Sequence, residues 1–234
     1  MRKFYFALIA LACVAMFSAC EKKNKQENNG GNQETTESGN ISQDILVANL
    51  PQNFKATTLY TVSSAGTLTE SHNIVTKFGA DWVLSYNFHY DDGIGGITNE
   101  SKAYYLRFKE DGTIVKQFES IDGGNTWNAS TRFTNFRAFA ESSSNPSRRL
   151  FDKSIKQSYG TVIEYLWHKT GEKRTVCNRM CTEYQYQNSV YLVDDATLLV
   201  FHEDFDYPDT GTTSEFAVQG WDESISSIGY NLPN

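Results

Sequence analysis

Proline, histidine and cysteine are scarce in this chain, four of each among 234 residues, and its 21 Lys and Arg are outnumbered by 28 Asp and Glu. Each shortage excludes something. A formal charge of −7 argues against nucleic-acid binding, which needs basic patches to meet phosphates. His72, His89, His168 and His202 are scattered, and no H-E-x-x-H pairs two of them. There is no G-x-S-x-G elbow and no phosphate-cradling glycine loop. No catalytic constellation is legible, and neither a metal nor a cofactor is expected. No apolar run reaches the roughly 20 residues that carry a helix across a bilayer. No repeat and no interior linker divides the chain.

What is present begins at the N-terminus. Arg2 and Lys3 precede an unbroken apolar run, Phe4 to Phe17, of about 14 residues, then Ser18, Ala19 and Cys20. That layout is a secretory signal peptide, residues 1–19. Its end, Phe17-Ser18-Ala19-Cys20, resembles a bacterial lipobox, with Phe17 at a place where Leu is commonest. The resemblance implies cleavage before Cys20 and lipidation of its sulfur, with acyl chains enough for a stable anchor. Glu21 to Gln43 is nearly all Glu, Lys, Asn, Gln, Gly, Ser and Thr. Such a segment buries too little apolar surface to offset its ordering entropy. Residues 20–43 therefore read as a lipidated Cys on a tether with a reach of about 25–30 Å. Polar tethers of this kind resemble those of Bacteroides-type outer-membrane lipoproteins. There an acidic cluster after the Cys marks surface export. Here Lys22, Lys23 and Lys25 follow Glu21, which favours a periplasm-facing anchor in the outer membrane over display at the cell surface.

Residues 44–234 are long enough for one ordinary core. Aromatics make up 14% of the chain and Thr and Ser abound, which favours strands. Asp44–Leu50 reads as a short helix or a first strand, stopped by Pro51. Strands are expected over 54–63, 67–78 and 81–90. In the last, Trp82, Leu84, Tyr86, Phe88 and Tyr90 share one face, and Asp81, Ser85, Asn87 and His89 the other, a period-two pattern. A loop follows at 91–96. Residues 102–119 read as a hairpin around Asp111-Gly112, with Phe108 opposite Ile114 if Gly112 is left-handed. Phe133, Phe136 and Phe139 predict a helix over 132–142 capped by Thr131. Ile155, Tyr159, Val162, Ile163 and Leu166 predict another over 154–168, ended by Gly171, with a strand over 161–168 as its rival. Strands return over 182–187, 190–193, 198–203 and 215–220, and 204–213 reads as an acidic, solvated loop.

Ser120-Ile121-Asp122-Gly123-Gly124-Asn125-Thr126-Trp127 matches the pattern S-x-D-x-G-x-T-W. This resembles the Asp-box of sialidases, where several such boxes occur, one per propeller blade. One box without a repeat points to a structural turn rather than to sialidase activity. Its carboxylate, Asp122, is placed to accept turn N–H groups, Gly124 to take positive φ, and Trp127 to pack beneath. Cys177 and Cys181 are four apart, about 13 Å in an extended strand, so a bridge requires residues 178–180 to turn. A disulfide is the first expectation in an exporting compartment, ahead of two buried thiols and of metal ligation.

Strands, then helices, then strands behind a lipid Cys resemble the half-barrel of periplasmic lipoprotein carriers (LolA-like). The carrying features are the early aromatic strands, Trp127 before the helical middle, and Cys181-Thr182-Glu183-Tyr184 before the hairpin that contains Asp194. The resemblance implies a mainly β (α+β) domain, a single antiparallel, strongly curved sheet with a few covering helices. The alternative is a β-sandwich that binds glycan, with a glycosidase less favoured. The expected function is non-catalytic binding or carriage of a hydrophobic small molecule or lipid. Trp82, Leu84, Tyr86, Phe88, Tyr90 and Phe108 would face that ligand beneath the 154–168 helix, with a filled core as the rival arrangement.

Overall fold

The computed structural model describes residues 50–152, 168–186 and 189–234. The expected signal peptide, Cys20, the tether and the element over 44–49 lie outside them, as does the 154–168 segment up to Trp167. Eleven strands form one antiparallel sheet: β1 (Asn53–Ser64), β2 (Thr67–Phe78), β3 (Asp81–Asp91), β4 (Ile97–Phe108), β5 (Ile114–Ser120), β6 (Asn128–Ala129), β7 (His168–Val176), β8 (Arg179–Tyr186), β9 (Ser189–Asp194), β10 (Val200–Tyr207) and β11 (Thr212–Asp222). Their order is β6-β5-β4-β3-β2-β1-β11-β10-β9-β8-β7. Two meanders therefore meet where β1 pairs with β11. The sheet is curved and open, so the fold is mainly β and half-barrel-like, and the β-sandwich alternative falls.

Local chemistry sets the hairpins. Ala65 and Gly66 both have positive φ, the requirement of a tight two-residue turn between β1 and β2. Gly112 is left-handed at +77°, and Phe108 pairs with Ile114 after a register shift, as the Asp111-Gly112 chemistry predicts. The 91–96 loop is a hydrogen-bonded turn in which one Asp92 carboxylate oxygen accepts from Ile94 and Gly96 N–H groups. The open edges are defended. β6 is two residues long, and β7 exposes Lys169, Lys173 and Arg174 around a register break. Gly171, expected to end a helix, sits in that break with φ +82°.

The helical middle is shorter than its phenylalanine spacing suggests. Helix α1 spans Phe136–Glu141 and its cap is Asn135, whose side chain accepts from the Ala138 N–H. The cause lies in Gln117. Its side-chain amide donates to Phe133 O and accepts from Phe133 N, holding that residue as an extended partner of β5 instead of a helical turn. A 3₁₀ turn, Arg148–Phe151, follows.

We call the sheet face that bears the main core the inner face. There Phe54, Val75, Trp82, Leu84, Leu106 and Phe108 meet Phe136, Phe139 and Phe151. The Trp82 ring lies 5.3 Å from Phe136, 5.7 Å from Phe54 and 6.1 Å from Phe108, mostly edge to face. Each such ring contributes about 1.5–3 kcal/mol through burial. The acidic stretch read as a loop is largely strand: β10 runs to Tyr207 and β11 starts at Thr212. Period-two alternation turns Glu203 inward and buries it, while His202, Asp204 and Asp206 occupy the other parity.

Candidate functional site

The residues expected to face a ligand divide into two groups. Trp82, Leu84 and Phe108 are 2%, 0% and 6% exposed and are packed by α1 and the 3₁₀ turn. They are core, and the ligand-facing expectation is corrected for these three. The reason is their position: Phe136 N–H donates to Gly112 O, which seats α1 on the end of the sheet that holds them. Tyr86, Phe88 and Tyr90 lie further along β3 and are half-buried. Tyr86 packs 6.2 Å from Tyr104, and burial above all raises its phenol pKa.

Strand register shows what else shares this end of the inner face. Tyr86 pairs with Asn73 and Lys102, Phe88 with Ser71 and Glu100, and Tyr90 with Thr69 and Thr98. On β1, Tyr60 pairs with Ser71 and with Phe216 of β11. On β10, Phe205 and Tyr207 stack at 5.1 Å. Between these rings and the filled core runs a short polar row. Ser71 Oγ donates to Asn73 Oδ1 at 2.6 Å, and Asn73 Nδ2 to Thr58 Oγ1 at 3.1 Å. All three residues are buried, so the row is a satisfied structural network. Tyr60, Phe205 and Tyr207 were missed in the sequence, although Glu203, Phe205 and Tyr207 carry the period-two signal.

Arg149 and Glu203 also meet on the inner face, Nη1 to Oε1 at 2.6 Å, with the guanidinium 5.9 Å from the Tyr60 ring. Desolvation works against the Arg149 charge, but the Glu203 carboxylate, together with Tyr60 and Asp152, outweighs it and holds the guanidinium protonated. Other buried carboxylates are likewise paired. Asp194 accepts from Arg179 and from the Thr197 N–H and hydroxyl, which closes the 194–199 turn. Glu183 pairs with Arg174. Among the described residues no group of three or more His, Cys, Asp or Glu side chains converges as a metal site.

The turn over residues 120–127 lies on the outer face. Asp122 Oδ1 accepts from Ser120 Oγ at 2.6 Å and from the N–H groups of Thr126 at 2.9 Å and Asn125 at 3.1 Å; Oδ2 accepts from the Thr126 hydroxyl at 2.7 Å. Gly123 and Gly124 have φ of +73° and +102°, and a Cβ on Gly124 would crowd the Tyr230 ring at 3.0 Å. Trp127 is half-buried rather than sealed beneath the turn. It lies 6.2 Å from Tyr105 and 6.4 Å from Tyr230, and its indole N–H donates to Asn231 O. Val83, Ala103, Tyr105 and Ser120 are buried on this face, so the C-terminal tail and the turn close a second, small core.

Those bonds hold the Asp122 carboxyl well below its ordinary pKa, with the Ser120 hydroxyl the largest cause. A depressed carboxyl contributes stability above its unfolded value, near 4, and loses it as pH falls through the lower folded one. Asp122→Ala should therefore lower the melting temperature at pH 7. The gap to the unaltered protein should narrow below about pH 3. Equal melting at pH 7 would count against this role.

Cys177 and Cys181 are both free thiols, so the expected disulfide is corrected. The chain does turn, but at Cys177-Asn178, both at positive φ, where Val176 pairs with Arg179. Cys177 Sγ then lies 3.5 Å from Val218 O, whereas Cys181 is carried into β8 opposite Asp194 and Arg174. Burial foremost raises the Cys181 thiol to about 12, which leaves it a packed apolar group.

No protein-family model and no curated protein matches the chain. Among solved structures it is similar to a DUF1329 family protein from Desulfovibrio piger, with 11% identity and a TM-score of 0.33 over 80% of this chain and 93% of that one. It is also similar to MucB in complex with MucA(peri), with 12% identity and a TM-score of 0.31 over 80% and 57%. In the Pseudomonas aeruginosa MucA/MucB complex the values are 12% and 0.32 over 77% and 55%. Similarity at this level assigns neither family nor activity.

Proposed function

We propose that this is a lipoprotein held in the outer membrane through Cys20, facing the periplasm. Its β-rich domain is a non-catalytic binding or carrier module for a hydrophobic ligand. The observation that supports the ligand is the set of half-buried rings, Tyr60, Tyr86, Phe88 and Tyr90, on the inner face beyond the filled core. Four large rings on one face offer apolar area to a lipid or another hydrophobic small molecule, and the Ser71, Asn73, Glu100 and Lys102 side chains beside them offer polar contacts to its head. Cys20→Ala should release the protein into the soluble fraction, and a variant that still sediments with membranes would place the anchor elsewhere. The released chain should displace a fluorescent fatty-acid probe and yield bound lipid on organic extraction. Phe88→Ala with Tyr90→Ala should weaken probe binding by about tenfold. A cooperatively melting protein with no probe binding and no extracted lipid would defeat the carrier reading.

A further inference from the structure

We propose that the arch formed by residues 225–230 on the outer face is a separate binding site, selective for a small amphiphile with one anionic head. β11 ends at Asp222, whose carboxylate accepts from the Ser224 N–H and hydroxyl. The chain is next fastened at Tyr230, whose hydroxyl donates to Ser85 Oγ at 2.8 Å, and at Asn231, which accepts from Trp127. Among the described residues no hydrogen bond ties residues 225–229 to the sheet between those two points. Beside them lies a half-open pocket of about 340 Å³, lined also by Lys55, Ile74 and Thr76 of β1 and β2. Register places these three on the same face as Val83 and Ser85, opposite to Trp82 and Leu84. The cavity is therefore distinct from the inner-face rings.

The lining states the ligand chemistry. Ile74, Ile225, Ile228 and Tyr230 supply an apolar body, and Thr76, Ser226 and Ser227 supply hydroxyls. Lys55 is the cation there, exposed and without a hydrogen bond or ion pair among the described residues. Asp222 stands across from Lys55 in the β1–β11 pairing and keeps its charge while bonded by Ser224, but the two make no ion pair, so the ammonium is free to turn toward the pocket. An ammonium without an ion pair, beside three isoleucines and a row of hydroxyls, fits a carboxylate on a short alkyl chain. The volume sits at the small end of ligand sites, about 300–1,000 Å³.

The test is titration of octanoate, with octylammonium as the opposite-charge control, into the full chain carrying Cys20→Ala, followed by amide chemical shifts. Saturable octanoate binding is expected, with shifts at residues 225–230 and at Ile74 and Thr76, and weaker binding of octylammonium. Ile74→Trp, which fills the cavity, should abolish binding without loss of cooperative melting. Lys55→Gln, a surface change that leaves the fold alone, should weaken octanoate about fivefold and erase the charge preference. No saturable binding, equal binding of the two amphiphiles, or shifts confined to Phe88 and Tyr90 would each overturn the proposal. The last pattern would leave the inner-face reading standing, so the two sites are told apart.

Discussion

Trp82→Ala should cost about 3–5 kcal/mol, read as a fall in the urea midpoint with little change in slope. The indole is 2% exposed and meets rings from four parts of the chain: Phe54 of β1, Phe108 of β4, Phe136 of α1 and Phe151 of the 3₁₀ turn. Helix α1 has only six residues and too little propensity to persist alone. Its place on the sheet depends on this contact, so the loss extends beyond one side chain. Phe88→Ala is the control, on the same strand and the same face but half-buried. It should cost about 1 kcal/mol. If the two substitutions cost the same, the division of β3 into a core end and an open end is wrong.

That division marks how far the sequence could be read. Alternation over 81–90 identifies the strand and its apolar face, because period two is imposed by backbone geometry alone. It cannot say which end of the face is covered. Cover depends on where α1 lands, and that is fixed by contacts distant in sequence: Phe136 N–H to Gly112 O and Gln117 to Phe133. The turn at 120–127 could be read residue by residue, since its bonds fall within a few positions of Asp122. Its partner could not. Tyr230 reaches it from about a hundred positions away, on a tail with neither helical nor strand periodicity. For the same reason nothing in the 81–90 pattern marks Val83, on the polar face, as part of the second core that the tail completes. Cys177 and Cys181 illustrate a subtler limit. Spacing showed that a bridge needs a turn, and a turn exists, but its phase carries the two sulfurs to different neighbours.

Glu203→Ala should destabilise the protein by about 3–5 kcal/mol, as large an effect as losing the Trp82 ring. The Arg149 and Glu203 side chains are 14% and 5% exposed and meet at 2.6 Å, so removing the acid leaves a guanidinium that water reaches poorly and that only the weaker field of Asp152 then balances. Such a charge cannot escape by deprotonation, because Arg titrates far above any accessible pH. The pair itself need not stabilise the fold. Desolvating both ions offsets most of their attraction, and apolar replacements of similar volume are often neutral or better. Arg149→Met together with Glu203→Leu should therefore recover most of the loss, within about 1 kcal/mol of the unaltered protein. The recovery also separates two roles for Arg149, which joins the 3₁₀ turn to β10 and lies over Tyr60 at the margin of the inner-face rings. If the double variant melts normally and binds the fatty-acid probe normally, the pair only positions chain segments. If it melts normally but binds the probe more weakly, the guanidinium contributes to the ligand, as a cation beside the rings can do for an acidic head group. A double variant no more stable than Glu203→Ala alone would show that the cost lies in lost packing around β10 rather than in an unpaired charge.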